Sequence, residues 1–131
     1  MVVIVDPHIK VSDEYPLYVE GKAIESKEKY NVSNIFVKKS DGNTDYQGLC
    51  WPGTSVWLDV LNEHAQDFWG SWFSYDKFKG SNHLYYFWND MNEPSVFNGP
   101  GKTLPLDSLH FKKTGHSYAH RDVHNAYGAL H

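Results

Sequence analysis

Apolar residues fall along this chain in short blocks separated by polar turns, and each block has its own period. Residues 2–5, Val-Val-Ile-Val, form an unbroken β-branched run ended by Asp6-Pro7-His8. Continuous apolarity, rather than alternation, predicts a strand covered on both faces and hence a parallel sheet. A second block, Leu84-Tyr85-Tyr86-Phe87, predicts another buried strand over 84–90. Alternation places Tyr86, Trp88 and Asp90 on one side of it, with Tyr85, Phe87 and Asn89 on the other. Both runs deliver polar groups to their carboxyl ends, Asp6 and His8 in the first and Asp90 in the second. Between them Leu61, Ala65, Phe68, Trp69, Trp72 and Phe73 recur at three- and four-residue steps. That spacing predicts a helix over 61–76 with Trp69 and Trp72 packed in the core.

The rest of the pattern is weaker. Residues 10–30 are polar, with a turn at Glu14-Tyr15-Pro16 and a faint helical spacing over 18–30 that Gly21 interrupts. Residues 34–38 read as a strand, Ser40-Asp41-Gly42-Asn43 as a turn and 46–50 as a second short strand. Together they predict a hairpin with Asp-Gly at its tip, closed by Cys50-Trp51-Pro52-Gly53. Residues 77–83 make the turn into the second buried strand. Asn98-Gly99-Pro100-Gly101 breaks the structure, 102–119 read as an extended loop, and a helix begins near His120 and runs to the end.

Composition narrows the function classes. The net charge of −4 comes without a basic cluster, which argues against a nucleic-acid footprint. No apolar run approaches the ~20 residues of a membrane helix, and the start of the chain lacks the features of a signal peptide. A single cysteine, Cys50, excludes an internal disulfide. Aromatic content is 16%, which suits stacking on the C–H faces of sugars as well as ordinary cores. Asn31-Val32-Ser33 fits the acceptor pattern for N-glycosylation. His120 and His124 are spaced to share a helical face, but position 121 is Arg where a zinc-protease helix needs Glu. Hydrogen bonding is the expected role of these histidines; neither a metal nor a cofactor is expected.

The most specific stretch is Trp88-Asn89-Asp90-Met91-Asn92-Glu93-Pro94-Ser95-Val96-Phe97. Its position, a carboxylate at the end of a buried strand, is where α/β barrels build catalytic sites. A lone Asp there is more often a cap or turn residue, but the full string resembles the nucleophile signature of glycoside hydrolase family 31. Ile-Val-Asp-Pro-His-Ile over 4–9, Trp51-Pro52-Gly53, and Arg121-Asp122-Val123-His124-Asn125 resemble further elements of that family, in the same order. The fold that the resemblance implies is α/β, a partial TIM (β/α)8 barrel holding about strands 3 and 4 with their inserted loops. Residues 1–131 would be a fragment of the catalytic barrel with a hairpin-containing insert at about 10–60, since a complete barrel needs about 250 residues.

The resemblance also implies chemistry. A retaining glycosidase pairs a carboxylate nucleophile with a carboxylic acid about 5–5.5 Å away. Spacing alone leaves Asp90 and Glu93 both open as nucleophile. The family assigns the role to the Asp, hence Asp90, with Trp51, Trp88, Met91, Phe97 and Asp6 binding substrate. Glu93 is expected to orient the Asp90 loop through hydrogen bonds. The family's acid/base lies on a later strand that nothing here matches, so the chain alone is expected to be inactive. The implied substrate is terminal α-linked glucose on oligosaccharides or N-glycans. Asn98-Gly99-Pro100 and 120–125 look most like the endoplasmic-reticulum and neutral α-glucosidases, which implies that lumen, or else the cytoplasm, and a regulatory beta subunit as partner. A non-catalytic carbohydrate-binding or truncated structural piece is the alternative; a binding module would need a flat row of exposed Trp and no barrel-strand order.

Overall fold

The computed structural model describes residues 1–27 and 34–131. The Asn31 acceptor pattern and the end of the expected 18–30 helix lie outside the described residues. Strand β1 (Val2–Val5) leads through Asp6-Pro7 into β2 (His8–Lys10) and helix α1 (Pro16–Glu25). Pro16 opens α1 with a preset φ and no wasted donor. The helix passes through Gly21 rather than stopping there, because a Cβ at that position would lie 2.6 Å from the Phe36 ring. Glycine is what lets α1 settle onto the core.

Residues 34–38 are extended and buried but join no regular sheet. Phe36 bridges Leu58, and Lys38 bridges both Asp45 and Leu109. The reason is the Glu25 carboxylate at the end of α1, which accepts from the backbone N–H of Ile35 at 2.9 Å and of Phe36 at 3.0 Å. Those donors are thereby lost to a ladder. The same oxygen takes the buried Lys38 ammonium at 2.8 Å, and Asp45 receives it on the other side. The Asp41-Gly42 turn forms as expected, with Asp41 accepting from the N–H groups of Asn43 and Thr44. The hairpin it makes is short, however. Strand β3 (Gly48–Cys50) turns instead at Trp51-Pro52 to pair with β4 (Gly53–Trp57), and β2 joins β4's other edge in a three-stranded antiparallel sheet. The expected hairpin closure is thus the tip of a different hairpin.

Helix α2 (Glu63–Ser71) is shorter than its 61–76 apolar stripe. Asn62 caps it, accepting from His64 N–H at 3.0 Å, and such a cap fixes where a helix begins. Ala65 and Phe68 are buried, and Trp69 and Trp72 pack against the core as expected. Strand β5 (Tyr86–Asn89) then pairs parallel with β1, Ile4 opposite Trp88 and Val5 opposite Asn89.

Burial of these two strands on both faces does not hold in the chain by itself. Phe87 meets Phe73 edge-on at 4.9 Å, and this side of the pair faces α2 across an apolar cleft of about 510 Å³. On the opposite side Ile4 and Trp88 are each 52% exposed, because no described element packs over them.

The segment read as a loop over 102–119 contains a second hairpin, β6 (Leu109–Phe111) with β7 (Ser117–Ala119). Its strands, Leu-His-Phe and Ser-Tyr-Ala, are too short to show alternation. Helix α3 (His120–Leu130) follows where expected. It is seated by polar contacts. Tyr127 donates to the Leu58 carbonyl at 2.7 Å, and a chain of 2.9 Å contacts links Asp59, His110, His120 and His124. Asp59, His110 and His120 are fully buried, so each polar group must find its partner within the protein.

Candidate active site

The parallel pair brings two carboxylates to one end of the sheet. Register places Asp6 and Asp90 one step past the paired residues Val5 and Asn89, and Asp90 N–H donates to the Val5 carbonyl at 3.0 Å to close the ladder. Burial, and then the charge of Asp90, push the Asp6 carboxyl above the usual carboxylate range. Asp6 Oδ1 is buried without a hydrogen-bond partner among the described residues. Its Oδ2 stands 3.6 Å from His8 Nε2, and burial lowers the pKa of that imidazole. Two like groups side by side, one with an unused buried lone pair, form a polar focus amid aromatic side chains.

The loop after Asp90 is held from several sides. Met91 adopts the left-handed φ of 57° and packs against the core. Asn92 donates to the Gly128 carbonyl at 3.1 Å. Gly128 is required for that seat, since a Cβ there would lie 2.6 Å from the Asn92 carbonyl oxygen. Glu93 is exposed and accepts from the Ser95 hydroxyl. That bond, then a backbone one, holds its carboxyl below the usual range. An acid kept ionised is poorly suited to donate a proton at neutral pH.

Trp51 and Phe97 meet edge to face with centroids 4.8 Å apart. The pairing is organised by backbone, Phe97 N–H donating to the Leu49 carbonyl at 2.8 Å. Cys50 Sγ, facing the Ser95 carbonyl at 3.8 Å, binds the same two segments together. Trp88 lies on the Asp90 face of β5 and is exposed. Of the residues expected in the site, the structure therefore joins Asp6 to Asp90 and Trp51 to Phe97; Met91 and Glu93 lie in the connecting loop. Sequence reasoning missed Asn92, Asn98 and Gly128, whose partners lie far along the chain. Among the described residues no group of three or more His, Cys, Asp or Glu side chains is placed to hold a metal ion. None of the described helices is long and apolar enough to cross a membrane.

Parallel strands carrying carboxylates at their carboxyl ends, with a helix on one face and an aromatic-walled loop beyond, define the α/β class whose barrels build hydrolytic sites at that end. The model of the glycosyl hydrolases family 31 TIM-barrel domain matches residues 1–131, and the chain belongs to that family. It is 47% identical over 128 residues to neutral alpha-glucosidase AB of Dictyostelium discoideum, covering 98% of this chain and 12% of the relative. A glucosidase II alpha subunit solved in a Glc1Man2-bound form superposes with a TM-score of 0.83 at 45% identity, over 98% of this chain and 12% of that one. An ER glucosidase II heterodimer, of a catalytic subunit and the binding domain of a regulatory subunit, matches at TM-score 0.83 and 46% identity with the same coverage. The chain thus spans 12% of the length of these relatives.

Proposed function

We propose that this chain carries the nucleophile of a retaining family 31 α-glucosidase, and that Asp90 is that nucleophile. The observation that supports it is the placement of Asp90 at the carboxyl end of β5, beside Asp6, inside the signature string. β1 and β5 are then the third and fourth strands of the barrel, with residues of about 10–60 as an insert between them. Asp90 attacks the anomeric carbon while an acid from another strand protonates the leaving oxygen; water then releases the sugar. Asp6, with its unused oxygen, accepts a sugar hydroxyl. Trp51, Phe97, Trp88 and Met91 line the pocket, and Glu93 holds the loop's shape through Ser95.

Terminal α-linked glucose on an oligosaccharide or N-glycan is the substrate this reading favours, supported by the relative captured with Glc1Man2. The endoplasmic-reticulum lumen and a regulatory beta subunit are the location and partner this reading favours, supported by the ER heterodimeric relative. The test is covalent trapping. In the whole enzyme, a mechanism-based α-glucoside inactivator is expected to label the peptide at Asp90 and to leave an Asp90→Asn variant unlabelled. Labelling at Glu93 instead would overturn the assignment.

A further inference from the structure

Strand β3 is an edge strand, and its outer side is completed by a side chain. Leu49 offers an N–H and a C=O outward from the sheet. The carbonyl accepts from Phe97 N–H at 2.8 Å, while the N–H donates to Asn98 Oδ1 at 2.7 Å. A side-chain amide thus supplies the second bond of a rung that backbone alone leaves half made. One residue on from Leu49 and Cys50 stands Trp51, and one residue before Asn98 stands Phe97, the two rings of the edge-to-face pair.

The segment beyond turns back on itself and away from the hairpin. Val96 N–H donates to the Lys102 carbonyl at 2.9 Å, and Lys102 Nζ donates to the Phe97 carbonyl at 2.9 Å. A Cβ on Gly99 would lie 2.0 Å from the Thr103 carbonyl oxygen, so the turn must close directly after Asn98. With Phe97 N–H, Asn98 is what ties this turn to Leu49. Without it Leu49 keeps only the Phe97 N–H bond, with the long Cys50 Sγ contact to the Ser95 carbonyl beside it, and water takes over the exposed Leu49 N–H.

From this geometry we infer that Asn98 is a positioning residue, locking Trp51 and Phe97 into one rigid aromatic wall through its bond to Leu49. The inference rests on the reading of those two rings as substrate-binding. It assigns to Asn98 no contact with the sugar. Its effect is on how often the wall is formed when substrate arrives, and a ligand whose site is only partly populated binds in proportion more weakly.

The experiment uses the whole enzyme that carries residues 1–131 and compares Asn98→Ala with Asn98→Asp, which keeps an acceptor oxygen in the same place. Loss of one hydrogen bond predicts a KM for an aryl α-glucoside raised about fivefold in Asn98→Ala, with kcat changed less than about twofold. Amide hydrogen exchange in the peptide containing Leu49 is expected to accelerate in the same variant. Asn98→Asp is expected to restore both readouts. An unchanged Leu49 amide in Asn98→Ala overturns the proposal, as does an aspartate variant as impaired as the alanine one. If Trp51→Ala and Phe97→Ala leave KM unchanged, the assignment of the rings to substrate falls instead, and the Leu49 amide still decides whether the clamp exists.

Discussion

Trp51 and Phe97 cannot titrate, so whatever they contribute to a glycosidase is contact. Trp51 is 71% exposed, and a ring left so open gains most from what covers it. In the whole enzyme, Trp51→Ala or Phe97→Ala is expected to weaken sugar binding by about 1–3 kcal/mol, the scale of losing a buried apolar side chain. Turnover should be reduced far less than in Asp90→Ala. Titration calorimetry with a competitive inhibitor reads the first quantity, and a fall in turnover with unchanged binding would reverse the division of roles. At this scale much of the candidate site was legible, because Asp90, Met91, Glu93 and Phe97 sit in one contiguous string. Asn98 was not, since its partner lies 49 positions away, and an Asn before Gly-Pro looks like any turn residue. The oxygen left unused on Asp6 was equally invisible, for burial of one atom is a property of the surrounding fold.

Among the elements, α3 is seated through buried polar groups as well as through Tyr127 and Val123. His120 is fully buried between His110 and His124, with Asp59 behind His110 and Tyr127 close by. Burial, then the two neighbouring imidazoles, take its pKa from the ordinary 6.5 to about 3. The folded protein therefore binds fewer protons here than the unfolded chain between those two values, and its stability rises with pH across that window. The contribution is complete above 6.5 and is lost as pH falls toward about 3. Denaturant midpoints of the dilute chain measured from pH 7 to 4 are expected to decline, and more shallowly in His120→Gln. An equal slope in both would exclude His120 as the source. The start of α3 near His120 was legible from the string that resembles the family, whereas the β6–β7 hairpin beside it was not: its three-residue strands are too short for a period, and His110 serves a hydrogen-bonded chain. For 34–38 the tendency to extend was correctly read, but a carboxylate from α1 took the N–H groups that a ladder needs. Tertiary contacts of this kind leave no mark on local periodicity.

On the scale of the whole molecule, two faces of unlike finish meet. The insert between β1 and α2 has a closed core around Phe36, Val56 and Trp57, each fully buried, whereas the β1–β5 pair presents Ile4, Tyr86 and Trp88 to solvent. A parallel pair with open edges is a template for further strands. Residues 1–131 expressed alone are accordingly expected to self-associate at high concentration, and to hydrolyse no α-glucoside. General acid catalysis contributes about 10²–10⁴-fold, and no group here matches the family's acid. An activated aryl α-glucoside, which needs little protonation on leaving, is the stringent assay. Saturable turnover abolished by Asp90→Asn would show that this stretch forms a working site unaided.

The long reach of that parallel pair also sets an order in time. Tyr86 N–H donates to the Met1 carbonyl at 2.9 Å across the whole length of the insert, whereas β3 and β4 are joined through a tight turn. Closing a long loop must be preceded by whatever shortens it, and distant pairings form slowly. The insert is thus the part that can assemble first, drawing the two ends of its own loop together as it condenses. Asp6 and Asp90 become neighbours only at the close of folding. In pulse-labelled hydrogen exchange during refolding, Val37 and Val56 amides should gain protection before Trp88 and Asp90; simultaneous protection would refute this order. The carboxylate pair would then be the last thing the chain completes, and its presence a report that everything before it has folded.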